Sequence, residues 1–272
     1  LNADDPRVLA MKENARAPVV LFSLHPDSDA VKSHLSEGGT VFTIEGTGLV
    51  LRDGASPSAP IVKVFEVPIT LGGKALYNVS NALAAAAAGH ALLGLKIEDL
   101  RTGLSTFNPS IGQSPGRLNL FEVAGVDYLV DYAHNVPAFV ALNQVVVSLS
   151  EKRLQEHRRI GVVSGTGNRM DQDIIRLGET AAGIYTDLII KDSDPRHRPL
   201  GETAEIMRNA ALGAGLPEEK LRVILSEEEA IKAAFAQAVP GDIVVIQPDD
   251  IRSTIRMLLE HKEEKESLSL FP

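Results

Sequence analysis

Three stretches of this chain place ionisable or glycine residues at the abrupt end of an apolar run. Val126 to Val130 stops at Asp131-Tyr132-Ala133-His134-Asn135. Arg159 to Ser164 stops at Gly165-Thr166-Gly167-Asn168-Arg169-Met170-Asp171. Asp187 to Lys191 stops at Asp192-Ser193-Asp194-Pro195-Arg196-His197-Arg198-Pro199. The first offers a carboxylate, an imidazole and an amide. The second is a glycine turn opening a helix, whose backbone N–H groups favour an anion, and Arg169 can add a two-pronged contact. The third mixes acids with basic groups. That mixture suits an amino acid, whose ammonium wants a carboxylate and whose carboxylate wants an arginine. Each stretch also has a plainer explanation: a solvated strand end, a tight turn with Asp171 capping a helix, a loop held by weak surface ion pairs. The coincidence of all three at one sheet edge favours a site, because ligands of open α/β sheets bind at the carboxyl ends of the strands.

The elements that must position these residues follow from pattern. Leu118 to Val123 and Val126 to Val130 read as two strands joined at Gly125. Then come helix Pro137 to Lys152, strand Arg159 to Ser164, helix Asp171 to Tyr185, strand Asp187 to Lys191, helix Gly201 to Gly213, strand Leu221 to Leu225, helix Glu227 to Ala238, strand Asp242 to Gln247 and helix Asp249 to Glu264. This alternation implies crossover units and a mostly parallel sheet with helices on both faces. Asp249 is read as a helix cap without chemistry, and Glu263 to Pro272 as a frayed, charged tail.

The earlier part has another rhythm. Leu1 to Pro6 reads as a strand end and polar turn, Arg7 to Asn14 as one short helix, and Pro18 to Leu24 as a buried strand. From Gly38 to Leu71 the pattern is all β, with strands Thr40–Glu45, Gly48–Arg52 and Ile61–Ile69. A helix capped by Asn78 and rich in alanine runs to Gly94, and a second spans Lys96 to Ser105. Phe107 to Gly116, rich in Pro, Ser and Gly, is a linker, so the expected domains are 1–111 and 112–272.

Bulk properties exclude several classes. The 272 residues suffice for one large or two ordinary domains. A net charge of −9 argues against nucleic-acid binding, which needs a basic footprint. There is no cysteine, hence no disulfide framework and no thiolate metal ligand. No apolar run approaches the roughly 20 residues of a membrane span. The expectation is a cytoplasmic protein with no membrane partner. The five scattered histidines His25, His34, His90, His157 and His261 show no metal spacing, so no metal ligand is assigned. No G-x-x-x-x-G-K-[ST] phosphate loop occurs, and Gly72-Gly73-Lys74-Ala75 lacks the length and the hydroxyl of one. The opening at Leu1, without Met or leader, reads as a fragment or a processed product.

Taken together, Asn2-Ala3-Asp4-Asp5, Thr70 to Gly89, Gly116 to Asn135, Gly165 to Arg169, Asp194-Pro195-Arg196 and Gly201 to Ala211, in that order, resemble the Mur ligase superfamily of ATP-dependent amide ligases. Within it they are most similar to the Mur ligase-like half of the cyanophycin synthetases. The resemblance covers nearly the whole chain. It implies a complete α/β C-terminal domain preceded by a truncated central ATPase-type domain carrying an antiparallel elaboration. Asn78 and Asn81 match the family's paired asparagines on the adenine side of ATP. Arg117 and Asp131 match residues holding the ribose and phosphate region and closing the two domains on each other. Arg169, Asp194 and Arg196 fall where the incoming amino acid binds, here arginine added to aspartate side chains of an acidic polymer. His134 and Asn135 lie at the same cleft without an assigned role, and no catalytic residue is assigned. Mg²⁺ is implied as cofactor alongside ATP, with ligands mostly outside these residues. Such a ligase activates a carboxylate as an acyl phosphate, and nothing in this sequence holds triphosphate and Mg²⁺ together. The isolated chain is therefore expected to be inactive, to need the missing N-terminal half of the ligase as partner, and to form a homo-oligomer. The alternatives are a fragment of a peptidoglycan-precursor or folylpolyglutamate ligase, and a non-catalytic binding module.

Overall fold

The structure is a computed structural model that describes residues 1–151, 153, 156–192 and 194–269. Lys152 at the end of an expected helix, Ser193 in the third loop and residues 270–272 of the expected tail lie outside the described residues. The chain forms two compact units, Leu1–Asn108 and the residues from Pro109 onward.

The first unit begins with helix α1 (Pro6–Ala10), continued by a 3₁₀ turn at Met11–Asn14. Its sheet holds β1 (Val20–Phe22), β2 (Thr40–Glu45), β3 (Gly48–Asp53) and β4 (Ala59–Lys63) in that spatial order. β1 and β2 are parallel and the rest antiparallel. Side chains alternate across the sheet, as the strand period of two requires. Leu21 and Val41 face helix α2 (Asp29–Ser36) through Val31 and Leu35. Phe42 and Leu49 pack with helices α3 (Leu76–Leu93) and α4 (Ile97–Thr106) through Val79, Leu83 and Leu100.

Three details here depart from the sequence expectation. Helix α2 was not anticipated. The expected strand Ile61–Ile69 is a strand only to Lys63, and two 3₁₀ turns, Val64–Glu66 and Pro68–Thr70, take the remainder. Thr70 Oγ1, hydrogen-bonded at 2.8 Å to the carbonyls of Val64 and Val67, satisfies the turn internally and bends the chain out of the sheet. Asn78 is not a cap. The helix starts three residues earlier, after Ala75, so Asn78 sits within its first turn.

The second unit has a six-stranded sheet of β5 (Asn119–Val123), β6 (Val126–Val130), β7 (Arg159–Ser164), β8 (Asp187–Lys191), β9 (Leu221–Val223) and β10 (Ile243–Ile246), in the spatial order β5-β6-β10-β7-β8-β9. β5 is antiparallel to β6, and every other pairing is parallel. Helices α5 (Val136–Ser150), α6 (Asp171–Ile184) and α7 (Glu202–Gly213) join β6 to β9 in steps. Helix α8 (Glu227–Gln237) returns the chain to the middle of the sheet, and α9 (Ile251–Ser269) follows β10. Because crossovers between parallel strands are right-handed, reversing direction moves the helices to the opposite face. Accordingly α8 and α9 pack through Ile231, Ala234 and Leu258 on the face carrying Tyr128, Val130, Ile160 and Val244. Helix α9 also runs beyond the expected end at Glu264, so the described part of the expected tail is helical.

Helices α6 and α7 come into close contact at Gly178, where an added Cβ would lie 2.6 Å from the carbonyl oxygen of Met207 and 3.0 Å from Ala210 Cβ. Ordinarily alanine stabilises a helix interior by roughly 1 kcal/mol over glycine. Here overpacking against backbone outweighs that gain. Gly178→Ala is expected to lower the unfolding free energy by about 1–3 kcal/mol, measured by urea denaturation.

Candidate functional site

Parallel pairing brings the carboxyl ends of β6, β10, β7 and β8 to one edge, and all three chemically loaded stretches meet there. The entry to this edge is a knot around Asn119. Its Oδ1 accepts from Gly116 N–H at 2.7 Å, and its Nδ2 donates to the carbonyls of Pro109 and Ser114 at 3.0 Å. Gly116, at φ +73°, lies so close to Ile251 that a Cβ there would be 2.7 Å from its side chain. Arg117 projects outward with its guanidinium 5.6 Å from the Tyr132 ring centre. Leu118, at φ +49°, donates its N–H to Asp131 Oδ2 at 2.9 Å.

Asp131 is thus tied to the backbone that carries Arg117. Burial pushes its carboxyl above the ordinary value of 3.8, against the opposing pull of the Leu118 and Ala133 N–H groups and the Arg117 charge. His134 approaches the Tyr132 carbonyl through Nδ1 at 3.0 Å. A carbonyl only accepts, so that bond assigns a proton to Nδ1 and leaves Nε2 for a ligand. Asn135 has a structural duty: its Oδ1 accepts from Ala138 N–H at 2.9 Å and caps α5.

The second and third stretches form one body. Gly167 packs on the loop after β8 so tightly that a Cβ would lie 2.0 Å from the Pro195 carbonyl oxygen. Arg198 locks this approach. Its guanidinium donates to the carbonyls of Gly167 at 3.0 Å and Arg169 at 2.7 Å, and pairs with Asp171 and Glu202 at 2.7 Å. Asp171 therefore serves as an ion-pair partner in the first turn of α6, where Met170 holds the cap position, and is not the cap itself. Asp194 and Arg196 pair with each other at 3.0 Å, with Arg196 in the left-handed region at φ +56°. Arg169 points elsewhere: with His134, Thr166, Asp173 and Arg176 it lines a cavity of about 330 Å³ between the start of α5 and the first turns of α6.

Beneath these loops sits a network that single-stretch reasoning missed. Lys191 is wholly buried, and its Nζ lies 2.5 Å from Asp249 Oδ2 and 2.8 Å from Glu227 Oε2. Glu227 in turn accepts from the N–H groups of Asp249 at 2.6 Å and Asp250 at 2.9 Å. Asp250, not Asp249, caps α9, accepting from the N–H groups of Arg252 and Ser253. The only hint in sequence was a charged residue ending three of the strands or opening their helices; strand order makes them neighbours.

In the first unit, Asn78 is buried and committed. Its Nδ2 donates to the Ile69 carbonyl at 2.9 Å and its Oδ1 accepts from Asn81 Nδ2 at 3.1 Å. Asn81 is exposed and lines an apolar cavity of about 410 Å³ walled by Ala82, Ala86, Leu100 and Phe107. Among the described residues no group of three or more His, Asp or Glu side chains is placed to hold a metal ion. Among them, too, no helix is long and apolar enough to cross a membrane.

Comparison with known proteins fits this architecture. Residues 116–249 match the family model described as Mur ligase, glutamate ligase domain. The chain carries a Mur ligase domain. The likeness extends beyond it: the cyanophycin synthetase of Trichormus variabilis is 36% identical over 259 residues, covering 95% of this chain and 28% of that protein. The diaminopimelate-adding ligase of Phocaeicola vulgatus is 29% identical over 98% of this chain and 50% of its own length. The chain thus spans between about a quarter and a half of these relatives. Among solved structures, Escherichia coli FolC in complex with DHPP and ADP superposes with a TM-score of 0.59 at 15% identity, covering 91% of this chain and 55% of that one. A murein peptide ligase from Psychrobacter arcticus gives 0.58 at 17% identity, covering 90% and 51%. These matches support the α/β fold of a Mur ligase, with a mostly parallel sheet and an antiparallel elaboration before it.

Two predictions follow from this geometry. Removing the Lys191 cation strands two carboxylates, a change that costs about 3–5 kcal/mol when a buried pair is broken. Lys191→Met should fall at the low end, since Asp249 keeps a 26% exposed side chain, and adding Glu227→Gln with Asp249→Asn should recover most of the loss in urea denaturation. For Asp131, the raised folded value means its contribution to stability is fully present below 3.8 and is lost as pH rises through the folded value. The stability cost of Asp131→Asn is therefore expected to be smaller at pH 7 than at pH 4, as read by thermal unfolding at each.

Proposed function

We propose that this chain is part of an ATP-dependent amide ligase of the cyanophycin synthetase type, joining arginine to aspartate side chains of an acidic polymer. The observation that carries this reading is the 36% identity to cyanophycin synthetases over 95% of the chain, against 29% to a diaminopimelate ligase. In such a reaction ATP supplies the phosphoryl group that turns a carboxylate into an acyl phosphate. The residues here bind and orient. Asn81 meets the adenine at the rim of its apolar cavity, and Asn78 holds Asn81 in place. Arg117 and Asp131 take the ribose and phosphate region. Asp131 also fixes the backbone from which Arg117 projects, so the two act together. Arg169, Asp194 and Arg196 receive the incoming amino acid, and His134 lines the same cavity as Arg169.

A second reading, a ligase for diaminopimelate or glutamate, is favoured by the peptidoglycan relatives and by the FolC-like fold. Titration calorimetry of the chain separates the two. Arginine is expected to bind more tightly than diaminopimelate, lysine or glutamate, and ADP to bind about tenfold more weakly to Asn81→Ala and to Arg117→Ala, each a loss of about 1.4 kcal/mol. A preference for diaminopimelate or glutamate would sink the arginine reading. Failure to bind ADP or any amino acid would sink the ligase reading and leave a binding module.

A further inference from the structure

On the face of the second sheet that α8 and α9 cover, three rings tie α9 down. Tyr128 of β6 is buried there, in the same core as Ala230, Ala234 and Leu258. Its ring meets Phe235 of α8 edge-on at 5.4 Å and His261 of α9 edge-on at 5.8 Å. The Phe235 and His261 rings stack at 4.2 Å, inclined by 9°. One polar contact completes the cluster: Tyr128 Oη lies 3.4 Å from His261 Nε2. A buried hydroxyl needs an acceptor, and among the described residues this nitrogen is its one partner. The hydroxyl therefore donates, Nε2 accepts, and the ring is neutral with its proton on Nδ1.

The charges around the imidazole leave it without a counter-ion. On α9, Lys265 disfavours a proton on the ring and Glu264 favours one, while Lys262 turns to Glu266. Glu260 and Glu263 line the groove beside the stack. On α8, Lys232 is paired with Glu228. Asp242 at the start of β10, which acts on Tyr128, is held by Arg158. Glu122 of β5 points to the other face, since its neighbours Phe121 and Val123 join the core here. Among the described residues no carboxylate forms an ion pair with His261. Burial first, then Lys265, makes the ring give up its proton more readily than an ordinary histidine, against the pull of Glu264.

We propose that Tyr128, Phe235 and His261 form an acid-released latch on the carboxyl half of α9, closed while the imidazole is neutral. Protonation fills the Nε2 lone pair, so two donors face each other and the buried hydroxyl loses its acceptor. An imidazolium on the Phe235 face gains cation–π attraction, but the stranded hydroxyl, burial and Lys265 oppose it together. With the folded value lowered, the latch is fully stabilising above the ordinary 6.5 and is lost as pH falls through the folded value. The amino end of α9 stays in place, because Glu227 holds Asp249 and Asp250. The latch joins the strand that leads to Asp131 and the helix whose Ile251 packs on Gly116. It therefore braces from below the corner that carries Arg117.

NMR on the 272-residue chain tests this. The His261 ring is expected to titrate below 6.5, and Tyr128→Phe to shift that titration upward, since the donor favouring the neutral ring is gone. From about pH 7.5 to about pH 5, hydrogen-exchange protection of residues Met257 to Glu266 is expected to fall severalfold relative to β7. His261→Phe keeps the stack and cannot titrate, so it should abolish that fall. His261→Gln, whose amide oxygen accepts from the hydroxyl, should do the same and serves if the first variant does not fold. Titration at or above 6.5, no upward shift in Tyr128→Phe, or an equal loss of protection in the folded position-261 variant overturns the latch.

Discussion

Everything at the carboxyl edge of the second sheet depends on the burial of one ammonium group. Lys191 ends β8 with no exposed surface, and a lone buried cation of that kind would cost several kcal/mol. Asp249 from the end of β10 and Glu227 from the start of α8 offset that cost, with Ser164 Oγ of β7 at 3.4 Å. One side chain thereby ties three strands and a helix at a single point. The tie also spreads outward: by accepting the N–H groups of Asp249 and Asp250, Glu227 fixes the start of α9, and α9 presents Ile251 to Gly116. The backbone that projects Arg117 is therefore seated on a surface whose position traces back to Lys191.

Loops above this tie are held by a different device. Glycine at position 167 lets two backbones touch, and Arg198 then satisfies the carbonyls that the contact would leave bare. Carbonyls of a tight turn need donors, and a guanidinium supplies several in one plane. Asp171 and Glu202 balance its charge from the starts of two helices. The same two positions place negative charge where helix N-termini favour it. Stability and presentation come from one arrangement, and Arg169 is left free because Arg198 does the bracing.

The alternation of strands and helices was legible because apolar runs and their ends are local properties. Strand order was not, since β10 enters the centre of the sheet through pairings with residues about 80 or more positions away. That is why Asp249 read as a bland cap while it is the partner of Lys191. Helix α2 was missed because it is eight residues long, yet Ser28 at its cap and Val31, His34 and Leu35 at helical spacing carry the signal. Asn78 was misplaced for the opposite reason. It is a good capping residue, but Leu76 and Tyr77 extend the helix, and its amide instead bonds Ile69 and Asn81. The family's motifs marked Arg169 and Asp131 by type and position; the partners that hold them, Arg198 and Leu118, could be seen only in three dimensions.

Electrostatics separate the arginines of the second unit into two kinds. Arg153 with Asp127, Arg158 with Asp242, and Arg198 with Asp171 and Glu202 are internal to the fold. Arg169 and Arg176 are not, and they face a cavity in a chain whose net charge is −9. An anionic ligand meets net repulsion at long range, but at physiological salt that field fades over about 8 Å. Inside the cavity the local pair of guanidinium groups decides. A zwitterion meets less of the long-range repulsion than a bare anion, since its charges cancel at a distance and separate only on contact.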